Sequence, residues 1–158
     1  MSRVLGRTTT LTIAVLVLLV DQGTKAAASA ALVDGRTQPL VPGLLSLHLV
    51  HNTGAAFSLL NRSTHLLGWL SFVVSLALIF WILRHRSTAF WQALALAFLL
   101  GGTLGNGIDR WRLGHVVDFL ALVPIDFPIF NGADVAINIA VLCFALDFWF
   151  NRHNTTRG

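Results

Sequence analysis

Several acids of this chain sit where acids are costly. Asp21, Asp109, Asp118, Asp134 and Asp147 lie in or against apolar runs. A carboxylate at the centre of a membrane helix costs roughly 2.5–3.5 kcal/mol on insertion scales, so each needs a structural or chemical reason. Asp118 sits in Val116-Val117-Asp118-Phe119-Leu120 with no neighbouring base, and Asp134 sits in Asn131-Gly132-Ala133-Asp134 at the opening of an apolar stretch. Asn131, Asp134 and Asn138 fall on one helical face, and polar residues on one face of a spanning helix point into a bundle. The segment between the two acids holds Pro124 and Pro128 and is short enough to leave and return, so that both acids meet at one depth. Two such carboxylates cannot both ionise easily and share a proton. One can then activate water while the other protonates a carbonyl oxygen. Spacing alone fits a proton relay or a structural brace equally well.

The other acids have simpler explanations. Asp21 and Lys25 stand four apart on one face, in the favourable acid-before-base order. Asn106, Asp109 and Arg110 share a face and form a polar brace, with the arginine expected to keep Asp109 ionised. Asp147 reads as an interface residue near Arg152.

Other hydrolytic chemistries lack their residues. The chain has no Glu, which removes the His-Glu-x-x-His zinc motif. His48 and His51 are three apart on an expected strand and face opposite ways, so they share no metal. There is no Gly-x-Ser-x-Gly. The single Cys143, deep in an apolar run, is inert and excludes an internal disulfide. No metal and no cofactor is expected.

These residues must be positioned in lipid. The chain is 55 % hydrophobic and 11 % charged, where soluble domains carry about 25 % charged residues. Its mean hydropathy is +0.72. The net charge of +4 comes from scattered arginines with no basic stripe, so nucleic acid is not an expected partner. Four apolar stretches approach the ~20 residues needed to span a bilayer: about 8–28, 66–83, 90–108 and 134–150. In lipid they must be helices. Residues 26–31 resemble a signal-peptide cleavage site, but Asp21 and Lys25 interrupt that reading. The short loop with Arg84 and Arg86, together with Arg3, Arg7, Arg152 and Arg157, places both termini in the cytoplasm. Outside lie segments of about 31–65 and 109–133. In the first, the alternating run Leu45-Ser-Leu47-His-Leu49 predicts a short sheet or hairpin on the membrane. The second is apolar and predicts an interfacial helix or loop. Gly101-x-x-x-Gly105 predicts close helix packing. The fold class is thus an all-α membrane protein of four transmembrane helices in a single domain, residues 1–158, with a small extracytoplasmic β-rich cradle and an interfacial helix or loop.

Five short motifs occur in order: Asp21-Gln-Gly-Thr-Lys25, Asn52-Thr-Gly-Ala-Ala-Phe57, Gly105-Asn-Gly-Ile-Asp-Arg110, Val117-Asp-Phe119 and Phe130-Asn-Gly-Ala-Asp134. Together they resemble the motifs of the bacterial lipoprotein signal peptidases, the signal peptidase II family of aspartic peptidases. The resemblance implies an aspartic endopeptidase of the bacterial inner membrane, active near the extracytoplasmic face. Its substrates would be diacylglyceryl-modified prolipoproteins, cut before the lipidated cysteine. By position, Asp118 and Asp134 would be catalytic, and Asn52, Gly54, Asn106, Asp109, Arg110 and Asn131 would build the site, with Asp21 and Lys25 supporting it. The resemblance also implies inhibition by globomycin, and a monomer in contact with membrane lipid is expected. A proton-coupled transporter and a non-catalytic assembly factor are the competing readings. The clustering of acids toward one surface and the charge-free second stretch weigh against a transport path.

Overall fold

The computed structural model describes residues 3–33, 35–54 and 64–155, with side chains to Phe150. In chain order the elements are β1 (Val4–Gly6), α1 (Arg7–Ala31), β2 (Thr37–Val41), β3 (Leu45–Asn52), α2 (Thr64–Arg84), β4 (Ser87–Ala89), α3 (Phe90–Leu113), β5 (Val116–Leu122) and α4 (Gly132–Thr155). Each expected stretch became a helix, and each helix runs past the apolar residues that announced it. Backbone polar groups in lipid have no partner but their own helix, so pairing continues until a capping residue or a strand takes over.

Among the described residues, α1, α2 and Gly132–Phe150 of α4 are long and apolar enough to cross a membrane. Their outward side chains are what lipid requires: Leu19, Val20, Phe80, Val141 and Leu142 all face away from the protein. The chain is a membrane protein. α3 is different. It packs on α1, α2 and α4 at once, and it carries Gln92, Asn106, Asp109, Arg110 and Arg112 along its length.

Close packing on three sides explains the glycines of α3. A Cβ on Gly101 would meet Ala14 O at 2.7 Å, one on Gly102 would meet Ala133 O at 2.6 Å, and one on Gly107 would meet Ser71 Cβ at 3.0 Å. A Cβ on Gly105 would run into Asp21 Oδ2. The stripe is filled by the protein's own helices.

Two small sheets sit on the bundle. β1 and β4 pair antiparallel, Leu5 opposite Thr88. This ribbon was not expected from sequence, because three-residue strands leave no period to read. The second sheet has the order β2-β3-β5, both pairs antiparallel. The antiparallel pair β2–β3 is the short sheet or hairpin expected at Leu45–Leu49, with Gly43 at φ 75° in its turn. The edge strand β5 replaces part of the interfacial helix or loop expected over 109–133, while residues 123–129 remain a loop. Val116-Val117-Asp118-Phe119-Leu120-Ala121-Leu122 is β-branched and aromatic at its start, and β3 offers it an edge to pair with. Val117, Phe119, Leu49, Ala28 and Leu32 form the core that fastens this sheet to the end of α1.

Candidate active site

Two short-range devices bring Asp118 and Asp134 together. α3 ends at Gly114 in the left-handed conformation, φ 76°, which turns the chain directly into β5. β5 then meets Phe130: Leu120 N–H donates to Phe130 O at 2.8 Å and Phe130 N–H returns to Leu120 O at 3.0 Å. The excursion between them closes there, two residues before α4 begins.

Asn131 is the hinge of the site and is fully buried. Its Oδ1 accepts Asp134 N–H at 3.0 Å, and Asp134 Oδ2 accepts Asn131 N–H at 3.1 Å. This is a capping box with aspartate in the third helical position. The Asn131 amide then donates to Asp118 Oδ1 at 2.6 Å and to Asn106 Oδ1 at 3.1 Å. Asp118 and Asp134 are thereby tied to one residue.

The remaining carboxylate oxygens are held by two further asparagines. Asn52 donates to Asp118 Oδ2 at 2.9 Å, from the strand beside it: Val50 is opposite Asp118 and Asn52 lies on the diagonal. Asn106 donates to Asp134 Oδ1 at 2.9 Å. All three amides are oriented by the same logic. Each carbonyl oxygen is committed to an N–H group: Asn52 Oδ1 to Gly54 N–H at 2.9 Å, Asn106 Oδ1 to Lys25 Nζ at 2.9 Å, Asn131 Oδ1 to Asp134 N–H. An ammonium has no acceptor, so Asn106 must turn its oxygen to Lys25 and its NH2 to Asp134.

Behind this layer is an ionic one. Lys25 Nζ lies 2.9 Å from Asp21 Oδ2 and 2.9 Å from Asp109 Oδ2. All three side chains are buried, so the pairing offsets a desolvation penalty of several kcal/mol per ion. Asp21 Oδ1 caps α4 by accepting Ala133 N–H at 2.8 Å, and Asp109 Oδ2 accepts Val117 N–H at 3.2 Å, one residue before Asp118. The expected partner of Asp109, Arg110, is not its ion pair. Arg110 instead donates to Asn106 O at 3.3 Å and Gly54 O at 3.4 Å, joining α3 to the end of β3. A longer side chain directed along the helix reaches that strand, while the short Asp109 points into the bundle toward Lys25.

Sequence reasoning missed Gln22. Its amide donates to Asp21 Oδ2 at 3.2 Å, Gly105 O at 3.2 Å and Asp109 Oδ1 at 3.0 Å. An amide one residue from a buried acid was the available signal. Asn138, expected to share the interior face, is exposed and donates to Asp134 O at 2.9 Å. At i+7 it has drifted past the bundle-facing edge. Residues 55–57 of the second motif lie outside the described residues. Cys143 is buried, as expected.

Asp118 is 2 % exposed, and burial pushes its carboxyl up to about 6. The amides of Asn52 and Asn131 act against that rise, and the charge of Asp134 adds to it. A carboxyl of this kind can hold or release a proton near neutrality. Among the described residues there is no group of three or more His, Cys, Asp or Glu that could hold a metal.

Fold and site together define a membrane-embedded helical protein with two amide-held carboxyls where a strand meets a helix N-terminus. Residues 13–150 match the family described as signal peptidase (SPase) II. The chain belongs to the signal peptidase II family. It is 61 % identical to the lipoprotein signal peptidase of Parasynechococcus marenigrum (strain WH8102), over 98 % of both chains. It is 54 % identical to that of Synechococcus sp. (strain RCC307), over 82 % of this chain and 87 % of the other. A bacterial membrane enzyme solved by the in meso method at 2.3 Å is similar at a TM-score of 0.86 and 29 % identity, covering 98 % of this chain and 95 % of that one.

Proposed function

We propose that this protein is an aspartic endopeptidase that removes signal peptides from diacylglyceryl-modified prolipoproteins, cleaving before the lipidated cysteine. Family membership supports the peptidase and its lipoprotein substrates. The observation that carries the aspartic chemistry is the bridging of Asp118 and Asp134 by Asn131, with no cation paired to either among the described residues.

The pair carries one shared proton that belongs to neither carboxyl alone; in the reactive state it is on Asp118. Asp134 takes a proton from water as its oxygen attacks the scissile carbonyl carbon. Asp118 gives its proton to the carbonyl oxygen, and a tetrahedral diol forms. On collapse the C–N bond breaks, Asp134 returns its proton to the departing nitrogen, and Asp118 recovers the hydroxyl proton. The products are a signal peptide with a free carboxyl and a lipidated cysteine with a free amine. Asn52, Asn106 and Asn131 position the pair, Arg110 fixes Gly54 and the strand end, and Asp21, Lys25 and Asp109 brace the frame.

The same reading makes α3 a fourth transmembrane helix, although its polar residues set it apart from the other three. It makes residues 1–158 one domain, placed in the bacterial inner membrane with both termini cytoplasmic and the sheet outside. It also makes the chain a monomer, with enzyme and substrate both anchored in lipid. Anchoring both partners lowers the entropic cost of bringing the bond to the aspartates. Incubation of the purified protein with a lipid-modified precursor should release the signal peptide, and globomycin should block it. Absence of cleavage by folded protein contradicts the reading.

A further inference from the structure

The end of the bundle away from the aspartates carries a feature that peptide cleavage does not use. α1 and α2 both pack on α3 but touch each other little. Along α1 runs a groove of ≈ 510 Å³, lined there by Arg7, Thr8, Leu11, Thr12, Val15 and Leu16 and closed by Leu83 of α2, within the ~300–1,000 Å³ range of small-ligand sites.

Its depth identifies its occupant. From Arg7 to Leu16 the helix advances ~13–14 Å at 1.5 Å per residue. Half of a ~30 Å hydrocarbon core is ~15 Å. The groove is therefore one leaflet deep, the reach of a lipid and half that of a spanning helix.

Its mouth is basic. Arg7 opens α1 and Arg84 closes α2, while Arg3 and Arg86 flank the β1–β4 ribbon. The ribbon sets their backbones: Arg7 N–H donates to Arg86 O at 3.1 Å and Phe90 N–H to Arg3 O at 3.0 Å. Arg7 Nη1 donates to Leu83 O at 3.3 Å, which turns the guanidinium over the groove. Among the described residues, none of the four arginines is paired with a carboxylate. A guanidinium with spare N–H donors above an apolar slot is complementary to a phosphodiester above an acyl chain.

We propose that this groove binds an anionic phospholipid of the leaflet that meets the β1–β4 ribbon. Its phosphate sits on Arg7, supported by the field of Arg3, Arg84 and Arg86, and one acyl chain lies along Leu11, Val15 and Leu16. The proposal is independent of the peptidase chemistry.

Native mass spectrometry of the purified full chain in neutral detergent tests it, with phosphatidylglycerol and phosphatidylcholine of identical acyl chains. Phosphatidylglycerol should bind the parent about tenfold more tightly. Arg7→Gln should bring it down to the phosphatidylcholine level, while Arg36→Gln, on the opposite outer segment, should leave the preference intact. Leu16→Trp keeps the arginine but fills the slot, and should abolish phosphatidylglycerol binding. Equal binding of the two lipids by the parent overturns the proposal. So does a preference that survives Arg7→Gln, or binding that survives Leu16→Trp at parental strength.

Discussion

Four buried or half-buried aspartates lie within one small region, and they divide into two kinds. Asp21 and Asp109 both touch Lys25 and each caps a backbone N–H on a neighbouring element. Asp118 and Asp134 touch amides, and among the described residues neither touches a cation. The first pair is ion-paired to one buried ammonium. The second is held in place by dipoles, which orient a carboxyl without committing its proton. Under the proposed chemistry, a structural anion and a reactive acid differ in what holds them. The asparagines connect the two kinds: Lys25 fixes Asn106, Asn106 and Asn131 touch, and between them they hold both Asp118 and Asp134.

This division can be broken from either side. The largest expected effect on the fold comes from Lys25→Met, which strands two buried carboxylates; it should cost about 3–5 kcal/mol, read as a large loss of melting temperature in detergent. If the variant melts with the parent, the ionic layer is no brace. Gly105→Ala comes next. Its methyl meets the Asp21 carboxylate, and overpacking of this kind costs about 1–3 kcal/mol, so thermal stability should drop while Gly23→Ala, with open space at its Cβ, should not. Asn131→Ala removes a helix cap worth ~0.5–2 kcal/mol, and unlike Gly105→Ala it should lower turnover far more than stability.

A further effect is a pH slope. Asp118 holds its proton to about 6 in the folded chain against a usual value of 3.8, so folding takes up a proton in that window. Stability should therefore fall as pH rises from about 4 to about 6, by at most ~1.4 kcal/mol per pH unit, and level off above. Asp118→Asn should flatten the slope in denaturation measured across pH; an unchanged slope assigns it to another group.

Much of this was legible in the sequence because lipid forces simple rules. Apolar length gave the helices, and the cost of acids in apolar sequence singled out Asp21, Asp109, Asp118 and Asp134. The Asp21–Lys25 pair followed from helical spacing. What could not be read was long-range pairing. β5 depends on an edge supplied by β3 some 70 residues earlier, and Asp109 chooses Lys25 over its neighbour Arg110 because α1 lies against α3. Gln22 was invisible for the same reason: its acceptors come from another helix as well as its own. Local pattern names the residues that matter, and tertiary contact decides which of them become partners.

The most direct test sets turnover against stability for four purified variants, Asp21→Asn, Asp109→Asn, Asp118→Asn and Asp134→Asn, on a lipidated precursor. Asp118→Asn and Asp134→Asn should each lose at least ~10²–10⁴-fold in turnover while melting near the parent, and the other two should lose stability first. A folded Asp118→Asn or Asp134→Asn protein that cleaves within a few-fold of the parental rate contradicts the assignment.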